Sequence, residues 1–361
     1  MADYSRFSDA DWPRLQHDWN AWWAGELDRP MIVLETHEPR EGVDWETFDQ
    51  FLTQFPMGTP VDTVLDHSQL LIEATHYYAD AYPKWDCNFG AGDVTGFLGA
   101  SWQHNHDIRT TWFHSPPTSS LADVTVRFDA ANAFWQRILA ATNGAIERWG
   151  KHCGIGYADL GGNLDILAGL RGTQDLLYDV SDAPEELEHL CRQVTDEWLR
   201  YYDELNTLIA PVSIGSCCWA PLWSPSRIYM LQSDFSYMVG PPVFERFVLP
   251  DLERCCAALD YPFYHMDGKG QLRHLEMLLS IAELRGVQWQ PGDGALLADK
   301  WPEVLHRIRS ADKLCQIYVD RAGAFRVARE HGGEGFVFSI VEALTDDEAS
   351  EFLEAFGREF R

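Results

Sequence analysis

The chain has 361 residues, with 56 acidic side chains against 28 basic ones and a formal net charge of −28 at pH 7. So acidic a protein repels nucleic acid and anionic membranes at long range, and no apolar run approaches the roughly 20 residues of a membrane span. The eight cysteines form no CxxC pair and include two adjacent doublets, Cys217-Cys218 and Cys255-Cys256, which suits neither a disulfide framework nor a zinc finger. With a polar, acidic start that does not resemble a signal peptide, the expectation is a reduced, cytoplasmic protein whose 46% hydrophobic residues fill one large core.

Residues 1–30 place Trp12, Trp19, Trp22 and Trp23 among charged residues, the pattern of an amphipathic helix packed across the bottom or side of a larger body. A first strand follows Pro30, at Met31–Glu35. Helical patterns cover Trp45–Phe55 and Val61–Tyr78, and Lys84–Phe89 reads as the second strand. Gly90-Ala91-Gly92 and the polar loop with His104 and His106 come next. This glycine-rich piece lacks both GxGxxG and the Walker pattern, so no nucleotide cofactor is expected. His104 and His106 read as solvated loop histidines, with metal ligation the alternative.

Phe128–Trp149 has clear helical spacing, Gly154–Asp159 is the third strand, and Leu164–Arg171 and Glu185–Leu208 are helices. Pro211–Cys217 is the fourth strand, ending in Cys217-Cys218-Trp219-Ala220-Pro221-Leu222-Trp223. The helix Pro242–Ala258 follows Asp234. The stretch from Tyr261 to Gly294 organises the rest. Pro262–Tyr264 is a buried-strand run ending in His265-Met266-Asp267, then a Gly268-Lys269-Gly270 turn, a helix from about Gln271, and a strand Gly286–Gln290. Residues two apart on a strand face the same side, so His265 and Asp267 can point together into a pocket at the strand's C-terminal end, where α/β proteins place their chemistry. Leu314–Val319 and Gly335–Ile340 complete eight strand candidates separated by helical segments. The terminal helix, Asp346–Phe356, has Thr345 or Asp346 as its cap. The expected fold is a single-domain (β/α)8 TIM barrel over residues 1–361 with a helical extension at 1–30.

Strand ends supply the candidate site residues. Asp159, Asp234, His265 and Asp267 are candidates for acid, base or substrate anchor. Trp219, Trp223, Gln288, Trp289 and Gln290 would make an aromatic and amide-lined mouth suited to sugars or aromatic ethers. Each has a structural alternative: Asp159, Asp234 and Asp267 as turn or helix caps, His265 as a core histidine, the tryptophans as core caps. For Cys217 and Cys218 packing is the favoured reading, since adjacent strand residues face opposite ways.

Arg29-Pro30 before the first strand, Asp165-Ile166-Leu167-Ala168-Gly169-Leu170-Arg171-Gly172, Asp234 followed by Pro242–Pro250, and Tyr264-His265-Met266-Asp267-Gly268 together resemble the uroporphyrinogen decarboxylase superfamily, which also holds corrinoid-linked methyltransferases. The resemblance is spread over most of the chain and implies a (β/α)8 barrel with its site at the C-terminal mouth. Two departures stand out. Where the decarboxylases carry an arginine-rich motif for substrate carboxylates, this chain reads Glu35-Thr36-His37-Glu38-Pro39-Arg40, which would repel a polycarboxylate. Where the methyltransferases hold zinc with His-x-Cys and a further Cys, this chain has His265, Asp267 and, near the last strand, Glu342. The implied metal ligands are therefore His265, Asp267 and Glu342. Such harder donors favour an oxygen-type acceptor over a thiol. The leading expectation is a metal-assisted methyltransferase or demethylase using a divalent metal, zinc foremost, a small-molecule substrate and a separate corrinoid protein. The alternatives are a metal- or carboxylate-assisted lyase or hydrolase, a cofactor-free decarboxylase, and a non-catalytic binding barrel.

Overall fold

A computed structural model describes residues 7–41, 43–45, 48, 51–105 and 107–360. In chain order the elements are α1 (Trp12–Ala24), β1 (Met31–His37), α2 (Val61–Ala74), β2 (Thr75–Ala79), β3 (Lys84–Trp85), α3 (Asp93–Phe97), β4 (Ser101–Asn105), β5 (Thr110–His114), α4 (Ala133–Trp149) and β6 (Gly154–Gly156). Then come α5 (Asn163–Arg171), α6 (Thr173–Asp182), α7 (Pro184–Ile209), β7 (Ser216–Cys217), β8 (Trp223–Ser224), β9 (Ile228–Gln232), α8 (Pro241–Val243) and α9 (Leu249–Ala258). The C-terminal part holds β10 (Tyr261–Asp267), α10 (Leu275–Ser280), β11 (Gly286–Gln290), α11 (Pro302–Ser310), β12 (Leu314–Val319), α12 (Arg321–His331), β13 (Phe336–Ile340) and α13 (Asp346–Glu359).

The fold is mixed α/β, with helices between parallel strands. Seven strands run in the order β2-β1-β13-β12-β11-β10-β9, all parallel except β2. A second sheet, β3-β6-β7-β8, is parallel through β7 and ends in antiparallel β8. Among the described residues no ladder joins β1 to β3 or β8 to β9, so the hydrogen bonding does not run round the closed ring that a TIM barrel would show.

Three local expectations are corrected. Residues 211–217 contribute only the two-residue β7, which turns back through β8, and the long parallel strand before Asp234 is β9. Thr75–Ala79 is not the end of a helix but a strand, paired along β1 from Val33 to His37; tertiary pairing overrides local periodicity there. Of the helix expected at Trp45–Phe55, residues 46, 47, 49 and 50 lie outside the described residues, and the remainder shows one 3-10 turn at Leu52–Gln54. The C-terminal helix begins as expected, with Thr345 and Glu348 forming a capping box.

Helix α1 closes one end of the sheet. Trp22 and Trp23 pack on Phe263, and Trp23 on Tyr261. These two β10 residues share a strand face with His265 and Asp267, so the face that α1 covers at its start carries the candidate site at its end. Gly286 is needed beside this seal, because a Cβ there would lie 2.1 Å from the Phe263 ring. Arg29 ties the helix to β1. Its guanidinium reaches both oxygens of Asp80 at 2.7 and 2.9 Å and Asp18 at 3.0 Å, while Asp80 also accepts the Ile32 N–H at 2.8 Å. The Asp80 side chain is fully buried. Arg29→Ala is expected to lower stability by about 3 kcal/mol by leaving that charge without its main partner. Chemical denaturation of wild type, Arg29→Ala and the Arg29→Ala/Asp80→Asn double variant checks it, the double variant recovering part of the loss.

Candidate functional site

Strands β9 to β12 carry one residue each in a single register row: Gln232, His265, Gln288 and Gln316. His265 sits second. Its Nδ1 bonds the Gln288 side-chain oxygen; an amide oxygen only accepts, so Nδ1 carries the proton and Nε2 is left with its lone pair. The Gln288 amide nitrogen donates to the Gln316 oxygen, and Gln316 donates to Ser339 Oγ at 2.9 Å. Gln288 and Gln316 are fully buried. Four consecutive strands thus fix the tautomer and ring orientation of one histidine. Trp219 packs edge-on against the same ring, with centroids 5.1 Å apart. Burial holds His265 below the ordinary imidazole range, against the opposing pull of Gln288 and Asp267, so the ring is neutral at pH 7.

The free Nε2 lies 3.9 Å from Asp267 Oδ2. One ligand atom each from Asp234, His265 and Asp267 falls within 4.8 Å of the others. A tetrahedral set with bonds of about 2.1 Å spaces its donors about 3.4 Å apart, so side-chain movements on the order of an ångström would bring these three atoms onto one divalent cation. The donor set, one neutral imidazole held by the Gln288 amide and two carboxylates, fits zinc or a harder divalent metal. His265 is 16% exposed and Asp267 45%, which leaves the centre open to the mouth.

Behind it lies an unusual concentration of carboxylates. Burial, with the neighbouring Asp234 charge, pushes Asp159 up to about 7. Burial and Asp234 likewise raise Asp165, and burial and Asp267 raise Asp234. Asp234 is exposed on its cleft side and enclosed by protein elsewhere. Asp165 accepts the backbone N–H groups of Asp234 at 3.0 Å and Phe235 at 2.6 Å, which aims the turn bearing Asp234. Asp159 accepts from Gly161 at 3.0 Å. Asp93, at the start of α3, is fully buried, and neither carboxylate oxygen has a hydrogen-bond partner.

The structure brings Asp234, His265 and Asp267 together and places Asp159 beside them. Asp234 stands in the position expected of Glu342, which lies outside the group: its carboxylate takes the Arg321 N–H at 2.6 Å and the Arg321 Nε at 3.1 Å, capping α12. Gln288 acts on His265 rather than on the mouth. Gln290 lies on the same face, opposite Asp267 in register. Trp289 is corrected: it faces the other way, fully buried against Trp301. Trp223 is corrected too. It is buried in β8, and its carbonyl accepts the Trp23 indole N–H at 2.8 Å, at the α1 end of the sheet. Trp219 lines the site, held by Lys84, which donates to the Trp219 carbonyl at 3.1 Å and to Asp86 at 2.7 Å. Cys217 and Cys218 are buried packing residues, their thiols raised by burial. His104 is in β4, stacked on Phe89; His106 lies outside the described residues.

Sequence reasoning missed Asp93, Gln232 and Gln316, and saw Asp165 only as part of a motif. A period-two reading of Gln232-Ser233-Asp234 would have found the first strand-end pair; nothing local marks Asp93. No protein-family model matches the chain, and no curated protein matches it.

Proposed function

We propose that this chain is an enzyme in which Asp234, His265 and Asp267 hold a divalent cation, zinc foremost, at the C-terminal ends of the strands. The two sheets, with their parallel strands β1, β3, β6, β7, β9, β10, β11, β12 and β13, would together form a barrel-like body of one domain akin to the (β/α)8 type. The observation that carries the reading is the His265 lone pair, set free by Gln288 and turned toward Asp267. When bound there, a divalent cation supplies Lewis acidity toward an oxygen-bearing substrate. His265 and the two aspartates orient it, and Trp219 shields one side of the imidazole. Asp159, raised to about 7, is poised to give or take a proton near neutrality.

Methyl transfer or demethylation is the reaction the resemblance favours, with a separate corrinoid protein as the partner and a cytoplasmic location. The described residues include no helix long and apolar enough to cross a membrane. The raised carboxylates favour a second reading, a metal-assisted lyase or hydrolase on a polar substrate. Elemental analysis of purified protein, followed by turnover assays with a methylated corrinoid protein and oxygen acceptors, tests the proposal. Stoichiometric metal with corrinoid demethylation is the expected result. Stoichiometric metal without it moves the assignment to the second reading, and absence of metal overturns both.

A further inference from the structure

A cleft of about 500 Å³ opens beside the candidate metal centre and shares Asp234 with it. Its floor is made of acceptors. Asp165 and Asp234 contribute carboxylates, and among the described residues no donor reaches the Asp234 side chain. Gln232, only 4% exposed, lines the same cleft with a buried side-chain oxygen that has no partner. Asp159 and Asp267 add negative charge close behind. No lysine or arginine is among the described residues that line the cleft, and His114 is its one titratable base. The walls are small or apolar, and the rim carries Trp112, 47% exposed, and Met238, 49% exposed.

A buried acceptor left without a donor, such as the Gln232 oxygen, is costly, and carboxylates gathered without a counter-charge repel one another. One kind of ligand answers both: a cation that carries its own N–H donors and an apolar body. Its ammonium would lie against Asp234 and the Gln232 oxygen, its hydrocarbon part along the small-residue wall, under the Trp112 face, which also attracts cations. An anionic substrate meets only repulsion here.

We propose that the cleft between β9, α5 and the β4–β5 hairpin binds a small organic ammonium compound. The site stands apart from the proposed function, because a divalent ion held by Asp234 would supply the missing counter-charge and repel the ammonium; the probes are therefore read on chelator-treated protein. Ligand-observed NMR titration at pH 8 and low salt, with butylammonium, butanol and butyrate as probes, tests it on the full chain. Butylammonium is expected to bind at least tenfold more tightly than butanol, and butyrate not to bind. Asp234→Asn should weaken butylammonium about tenfold, and Trp112→Ala, on an exposed site that folding does not need, about threefold. Gln232→Leu should weaken it too, with metal content unchanged. Equal binding of the three probes, no binding of butylammonium to wild type, or affinity unaltered in all three variants overturns the proposal. His265→Ala separates it from the metal reading: butylammonium affinity within threefold of chelator-treated wild type supports the cleft as a site of its own and a larger fall overturns it, while wild type that is purified without metal yet binds butylammonium defeats the metal reading alone.

Discussion

His265→Ala is expected to lose bound metal and turnover together while leaving the fold intact. In the proposed centre the ring would be one of three donors and the only nitrogen, and its other nitrogen is committed to Gln288. Removing it leaves two carboxylates, one of them 45% exposed, that grip a divalent ion weakly. Metal affinity should fall by more than the roughly 10–100-fold that loss of an outer-shell partner costs. Gln288→Ala should sit inside that range, because it keeps the ligand and loses only the orientation and tautomer of the ring. Gln316→Ala should have the smaller effect of the two, being one bond further out. This order, His265 beyond Gln288 beyond Gln316, is the signature of a relay; a core histidine with no ligand role would give unfolding in that order and no metal in any sample.

Acid should release the metal in a way that identifies its ligands. Burial depresses the basicity of His265, so its protonation competes with the ion only below the ordinary imidazole range. Burial and Asp267 raise Asp234, so that carboxylate takes up a proton at a higher pH than an ordinary aspartate. Metal occupancy followed against pH should therefore begin to fall above the normal aspartate range, and Asp234→Asn should weaken binding at every pH and remove that early step.

The turn after β10 was legible because His265 and Asp267 combine two independent signals, alternation along a strand and a glycine turn at its end. Strand β9 was not. The apolar run Ile228–Leu231 is short and sits behind Pro221 and Pro225, so local patterning favours the preceding run ending at Cys217-Cys218, which the chain uses for a hairpin instead. Alternation could have rejected Trp289 from the start, since Gln288 and Gln290 flank it and cannot share its face. Glu342 failed for a reason no linear reading supplies: its partner, Arg321, comes from the end of the neighbouring strand β12. The same applies to Asp93 and Asp159. Their sequence positions are far apart, and they meet because Gly92 and Gly161 let two backbones approach, a Cβ on Gly161 falling 2.8 Å from the Gly92 Cα. An acidic pocket assembled from five separate chain segments shows up in composition only as net charge.

The largest expected pH dependence of stability comes from Asp93. Its carboxylate is buried without a hydrogen-bond donor, and burial together with the nearby Asp159 charge pushes its pKa well above the usual carboxylate range. The folded protein thus keeps a proton that the unfolded chain releases above about pH 4. Where the native state binds more protons than the unfolded one, stability falls as pH rises, by about 1.4 kcal/mol per pH unit for each such group, until pH passes the folded pKa. Asp159, raised to about 7, adds to the same fall between about pH 4 and 7. Asp93→Asn replaces the acid with a neutral group of the same shape. At pH 4, near the unfolded-state value, the variant should match wild type to within about 1 kcal/mol. At pH 8 it should be more stable by about 2 kcal/mol or more. Guanidinium denaturation at the two pH values reads the difference directly, and the other titrating groups cancel between the two proteins. Parallel curves, with the variant less stable throughout, would mean that Asp93 is charged in the native state and compensated by a bound cation, which would place a second ion-binding position behind the first.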